Sequence, residues 1–215
     1  MKRFLTIVLS FLFVSFQAAK AEMGIGITGA LHMLDASGTE TTRSSNEKNN
    51  GTHSEDVLVP EVFIEAISDN GMTVGLSYIP TRDMGSKSRT DSNAAGDSGT
   101  YKAQAEFDNV VQLYLDFPLT EVAGYPLHGK LGLQHATLVT LESLNSGSTY
   151  PNEDLYGLTL GLGTKGDLPG GLYYKAEVTY THFDTYSANA ADANGNKVEA
   201  DIEDISGKLS VGYKF

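Results

Sequence analysis

The sequence predicts an all-β chain: eight antiparallel strands wound up and down into a closed transmembrane β-barrel. Three observations carry that reading. The chain closes on a strictly alternating stretch from Ile205 to Phe215, with Leu209, Val211, Tyr213 and Phe215 apolar and Lys208, Ser210, Gly212 and Lys214 small or charged. Period-two alternation puts one set on each face of a strand, and pairing a last strand with the first leaves no open edge. Segments between the apolar alternations are by turns long and polar, then short, as in a barrel that keeps its long loops on one side of a membrane. After the first 21 residues no apolar run approaches a membrane helix, and 23 glycines are spread along the chain.

The first 21 residues, MKRFLTIVLSFLFVSFQAAKA, have a basic start at Lys2 and Arg3, an apolar core from Phe4 to Phe16, and a small-x-small ending at Ala19-Lys20-Ala21. This is the pattern of a secretory signal peptide. Cleavage after Ala21 leaves one expected domain, 22–215, with 27 acidic against 12 basic side chains and a net charge of −15. That excess excludes a nucleic-acid partner, which needs a basic stripe. With no cysteine in the chain, hydrogen bonding rather than disulfides must supply the stability.

The first strand, Met23 to Leu34, sets Met23, Ile25, Ile27 and Leu31 against Gly24, Gly26, Thr28, Ala30 and His32. A polar loop from Asp35 to Asp56 leads to the second strand, Leu58 to Ile67, with Val62 and Ile64 outward and Glu61, Phe63 and Glu65 inward. Ser68-Asp69-Asn70-Gly71 is a tight turn, since Asn-Gly is the strongest short hairpin signal. The third strand, Met72 to Pro80, faces Val74, Leu76 and Tyr78 outward, and a second polar loop runs from Thr81 to Lys102. The fourth strand, Ala103 to Phe117, puts Phe107, Val111, Leu113, Leu115 and Phe117 on one face and Asp108, Gln112, Tyr114 and Asp116 on the other.

After a turn at Pro118 to Pro126, the fifth strand runs from Leu127 to Thr140, with Lys130, Gly132 and Gln134 inward. A third polar loop spans Glu142 to Asp154. The sixth strand, Leu155 to Lys165, carries Tyr156, Leu158, Leu160 and Leu162 outward against Gly157, Thr159, Gly161 and Gly163. A short turn, Gly166 to Gly171, precedes the seventh strand, Leu172 to Phe183, where Lys175, Glu177, Thr179 and Thr181 face inward. Asp184 to Asp201 is the fourth polar loop, and the closing strand follows. Outward Tyr78, Phe107, Tyr156 and Tyr180 fall at the loop ends of these strands, and Phe117, Tyr174, Tyr213 and Phe215 at the turn ends. Two aromatic belts suit the two interfaces of a membrane.

The closing strand ending in Phe215 resembles those of bacterial outer-membrane β-barrel proteins, and 22–215 as a whole is similar to the small eight-stranded members of OmpA transmembrane-domain or OmpX type. The resemblance implies a place in the cell outer membrane, among its lipids and lipopolysaccharide, with the loops extracellular. It also implies that the outer-membrane assembly machinery reads Leu209, Val211, Tyr213 and Phe215. No cofactor is implied, and a monomer is expected. No peptidoglycan-binding domain follows the last strand, so a cell-wall tether does not carry over.

Inward charges are the main candidate constellation: Glu61, Glu65, Asp108, Asp116, Lys130, Lys175, Glu177 and Lys208. Side chains largely fill an eight-stranded lumen, and charges there must pair or stay hydrated. A salt-bridged plug is the plainer reading, in a barrel with a structural or surface-interaction role. A narrow pore for small solutes or ions is the alternative. Lipid A-modifying enzymes share this barrel size and need a hydroxyl activated by His and an acid. His32, His53, His128, His135 and His182 show no deacylase-type run, and Asp91-Ser92 and Asp97-Ser98 sit in a composition-biased loop; no catalytic residue is assigned. Gly161 to Gly166 matches a dinucleotide fingerprint but precedes no helix. Asn50-Gly51-Thr52 is read as a chance glycosylation pattern. The acidic loop 192–203, with Asp192, Asn194, Asn196 and Glu203, resembles a calcium loop but carries Lys197 where the turn wants Gly; no metal site is assigned.

Overall fold

A computed structural model describes residues 21–91, 99–143, 149–191 and 195–215. The signal-peptide expectation, residues Ser92, Asp97 and Ser98, and residues Asp192 and Asn194 of the calcium-like loop lie outside the described residues. Ten strands form one antiparallel sheet: β1 Ala21–Thr41, β2 Lys48–Ser68, β3 Thr73–Ile79, β4 Arg82–Asp91, β5 Gly99–Val122, β6 Tyr125–Ser143, β7 Glu153–Asp167, β8 Leu172–Phe183, β9 Tyr186–Asn189 and β10 Lys197–Lys214. The sheet closes on itself where β1 pairs with β10, from Gly24↔Lys214 to Thr41↔Lys197. β3 and β4 are one wall element interrupted at Pro80, both pairing with β5, and β9 continues β8 onto β10. The wall therefore has eight staves, as the alternation predicts.

The outer face explains why this sheet belongs in a bilayer. Ile27, Leu58, Leu162, Val178 and Leu209 are each more than 60% exposed, a density of bare apolar surface that water does not tolerate on a soluble monomer. On β1 the exposed apolar side chains run from Met23 to Met33, matching the roughly 9–11 residues a tilted strand needs to cross the hydrocarbon. Yet β1 and β2 are 21 residues each. The segments expected to be loops at Asp35 to Asp56 and Thr81 to Lys102 are instead mostly hairpin, paired down to Thr41↔Lys48 and Asp91↔Gly99. Backbone pairing needs no apolar side chains, so these polar walls continue the barrel beyond the membrane on the loop side.

The turns on the opposite side are tight. Asn70 Oδ1 accepts from Ser68 Oγ and Met72 N, and Gly71 takes φ 83°. The turn expected over Pro118 to Pro126 is shorter: strands run to Val122 and from Tyr125, leaving Ala123 and Gly124, both left-handed, as the two-residue link. Gly161 to Gly166 lies within β7.

One strand departs from simple parity. Asn109 adopts φ 50°, and the ladder slips between Asp108 and Val111. This β-bulge turns Phe107 inward, to 0% exposure, and Asp108 outward, where it accepts from Thr81 Oγ1 and Asn109 Nδ2. Phe107 accordingly leaves the loop-end aromatic belt, which keeps Tyr78, Tyr156 and Tyr180; Phe117, Tyr125, Tyr213 and Phe215 line the turn end.

Candidate functional site: the filled lumen

The interior is stratified into three layers. Nearest the turns, Lys175 Nζ donates to Glu65 Oε2 at 2.8 Å and lies 3.7 Å from Asp116 Oδ2; Lys130 Nζ reaches Asp116 Oδ1 at 2.9 Å and Glu177 Oε1 at 3.1 Å. His128 Nε2 stands 2.9 Å from Glu177. Tyr114 sits between the two ammonium groups, Lys130 at 3.6 Å and Lys175 at 4.8 Å from its ring centre, and its hydroxyl donates to Glu65. Cations over an aromatic face gain from the ring quadrupole, more so when desolvated.

The middle layer is built on Glu61, which accepts from Lys208 Nζ at 2.8 and 3.1 Å and faces His32 Nε2 at 3.2 Å. Asp204 lies 2.7 Å from His32 Nδ1 and 3.4 Å from Arg82 Nη2. Hydroxyl and amide pairs complete it: Thr28 with Ser210, Gln112 with Thr159, and Thr159 with Thr181. Between the two ionic layers remains a cavity of about 10 Å³ bordered by Thr28, Ser77, Gln112 and the lysines, room for about one water.

The third layer, toward the loops, is apolar. Leu34, Val59, Ile79, Met84, Phe107, Val110, Leu138, Leu155, Phe183 and Ile202 pack together, with Phe107 and Phe183 rings 4.8 Å apart. Above it the connections are tied to one another: Glu40 accepts from Tyr150 Oη and Asn196 Nδ2, and Tyr186 Oη donates to Pro151 O.

Seven of the residues singled out by parity thus point inward, at 0–7% exposure: Glu61, Glu65, Asp116, Lys130, Lys175, Glu177 and Lys208. Asp108 does not, for the reason given above. Asp116 and Lys130 pair across one ladder rung; Lys208 and Glu177 are also rung partners, but their charges go elsewhere, to Glu61 and Lys130. Arg82, His32, His128 and Asp204 are members of the network that the sequence reading left out. Alternation was the signal for three of them: His32 shares the inner face of the first strand with Thr28 and Ala30, His128 stands two residues before Lys130, and Asp204 two before Ser206.

His32, Asp204 and Ser206 have the residue types of a hydrolase triad without its wiring. Asp204 Oδ2 and Ser206 Oγ both approach the same nitrogen, Nδ1, at 2.7 and 2.9 Å, whereas a triad needs them on opposite nitrogens. Arg82 Nη1 also lies against the ring, and the group is sealed beneath the apolar layer.

No protein-family model matches the chain, and no curated protein does. Among solved structures, the outer membrane protein OprG of Pseudomonas aeruginosa superposes with a TM-score of 0.64 at 18% identity, covering 93% of this chain and 98% of that one. The fold is that of a small outer-membrane β-barrel. The outer membrane protein AlkL, solved in lipid bilayers, matches likewise at TM-score 0.54 and 8% identity, covering 92% of this chain and 91% of that one. The likeness spans nearly the whole chain.

Proposed function

We propose that the protein is a barrel of the bacterial outer membrane that is closed to ions along its axis, with a structural or surface-interaction role borne by its tall polar walls on the extracellular side. Lipids and lipopolysaccharide surround it, it acts as a monomer without cofactor, and it performs no catalysis. One observation carries this reading: paired charges fill the lumen from the turn side and a packed apolar layer fills it from the loop side. An ion would have to displace both, and an unpaired charge in the apolar layer would lose its hydration without replacement. Planar-bilayer recording of the refolded barrel tests it, with conductance indistinguishable from bare lipid expected. Steady unitary currents would replace this reading with a narrow pore.

A second reading has its own observation. β2 pairs with β3 from Val62↔Tyr78 to Ile67↔Thr73, and among the described residues no ladder joins the upper half of β2 to β4. That seam borders the apolar layer, through Val59, Ile79 and Met84. Small apolar solutes entering from outside would then pass sideways into the membrane rather than down the axis. Uptake of a hydrocarbon into vesicles containing the barrel, beyond that of empty vesicles and without any ion conductance, would favour it.

A further inference from the structure

The floor of the lumen gathers ligand atoms whose capacity to hold a metal neither reading uses. Asp116 on β5, His128 on β6 and Glu177 on β8 each offer one, and the three lie within 4.8 Å of one another, all buried. A rung without an inward side chain makes this convergence possible. Gly163 on β7 is the rung partner of both His128 and Glu177. A Cβ there would stand 2.7 Å from Glu177 Cγ and 2.8 Å from His128 Cε1, so any other residue would push the two apart.

Two independent observations point to a ligand. His128 Nδ1 is buried without a hydrogen-bond partner, and His128, 1% exposed, borders a cavity of about 450 Å³ that opens at the turn-side mouth between Asp69, Lys165 and Lys214. An ion from that side therefore has a route to the ring.

We propose that Asp116, His128 and Glu177 form a binding site for a divalent transition-metal ion, which takes the place of the Lys130 ammonium. One imidazole nitrogen with carboxylate oxygens suits zinc, nickel or copper, whereas calcium and magnesium prefer oxygen alone. Lys130 is the occupant the metal displaces, because its Nζ lies 2.9 and 3.1 Å from the two carboxylates that would bind the ion. Two cations cannot share that space in a low dielectric. Metal–ligand bonds of about 2.0–2.2 Å draw the three side chains closer than they stand around the ammonium.

The test uses the mature chain refolded in detergent, titrated with Co²⁺ and followed by visible absorption, with Zn²⁺ as competitor. His53, His135 and His182, each beside a surface carboxylate, are replaced by Asn in every sample to remove exterior binding. That parent should take up one Co²⁺ per barrel, displaced by Zn²⁺. Lys130→Met, which keeps the stem against Tyr114 and removes the competitor, should bind at least tenfold tighter. His128→Gln, which keeps a donor toward Glu177, should lose the absorption while the unheated gel mobility still reports a folded barrel. The proposal is overturned if neither the parent nor Lys130→Met binds, or if His128→Gln binds as the parent does.

Discussion

Replacing Lys175 by Met separates an ionic plug from a merely crowded lumen. The ammonium lies 2.8 Å from Glu65, 3.7 Å from Asp116 and 4.6 Å from the Phe63 ring centre, and Lys175 is 3% exposed. At an effective dielectric of about 20, the two carboxylate contacts alone are worth about 6 and about 4 kcal/mol of attraction. Removing the ammonium also removes its own desolvation cost, which offsets part of that sum. Breaking a buried pair by deleting one partner nets about 3–5 kcal/mol of destabilisation. Met fills most of the volume of the stem, so a cavity contributes little. The chain has no Trp, so unfolding in guanidinium is best followed by far-ultraviolet circular dichroism together with the mobility of unheated gel samples. Lys175→Met should lose about 3–5 kcal/mol. Adding Glu65→Gln, which removes the stranded charge and keeps an acceptor for Tyr114, should restore at least half of it. A single variant within about 1 kcal/mol of the parent, the worth of an exposed pair, would refute the reasoning. So would a double variant no more stable than the single one.

Three further outcomes are expected. Replacing Lys130, Lys175 and Lys208 together by small neutral residues should admit water and cations, raising conductance above a silent parent in planar bilayers; equal traces for both would sink the plug. Gly26→Val should cost about 1–3 kcal/mol by overpacking, because a Cβ there would stand 2.3 Å from the Phe63 ring and 2.5 Å from the Val211 carbonyl; a guanidinium midpoint equal to the parent's would show that the inner wall gives more than the packing implies. Phe215→Asp should leave precursor in the periplasm, as the resemblance of the closing strand implies, and an undiminished outer-membrane yield would contradict it.

Much of this barrel is legible in the sequence, because the bilayer imposes period two on each stave. Leu158, Leu160 and Leu162 against Gly157, Thr159 and Gly161 leave only one way to orient β7. The signal fades where the wall leaves the membrane: Ser37 faces Thr52 and Thr39 faces Asn50 across the β1–β2 ladder, and with polar residues on both faces nothing in the pattern distinguishes strand from loop. Arg82 was hidden by that same fading, since it lay in a segment too polar to be read as wall. Phe107 and Asp108 were misplaced for a different reason. Parity counts residues, and the left-handed Asn109 inserts one that the partner strand does not match. The convergence at His128 was out of reach of any single-strand reading, because it depends on which staves are neighbours and on the missing side chain at Gly163 on the strand between them.

The uneven stitching of the wall gives the barrel a mechanical polarity around its circumference. β1 and β2 share 21 rungs, whereas β2 and β3 share six. Tension applied to the rim, by a swelling membrane or by a ligand pulling on the long hairpin, therefore concentrates on one line. The β1–β2 hairpin is then expected to swing as one stiff flap on β10, opening along the β2–β3 line. Amides that join β2 to β3 on the rungs from Val62 to Ile67 are expected to exchange first among the membrane-embedded set, and those that join β1 to β2 last.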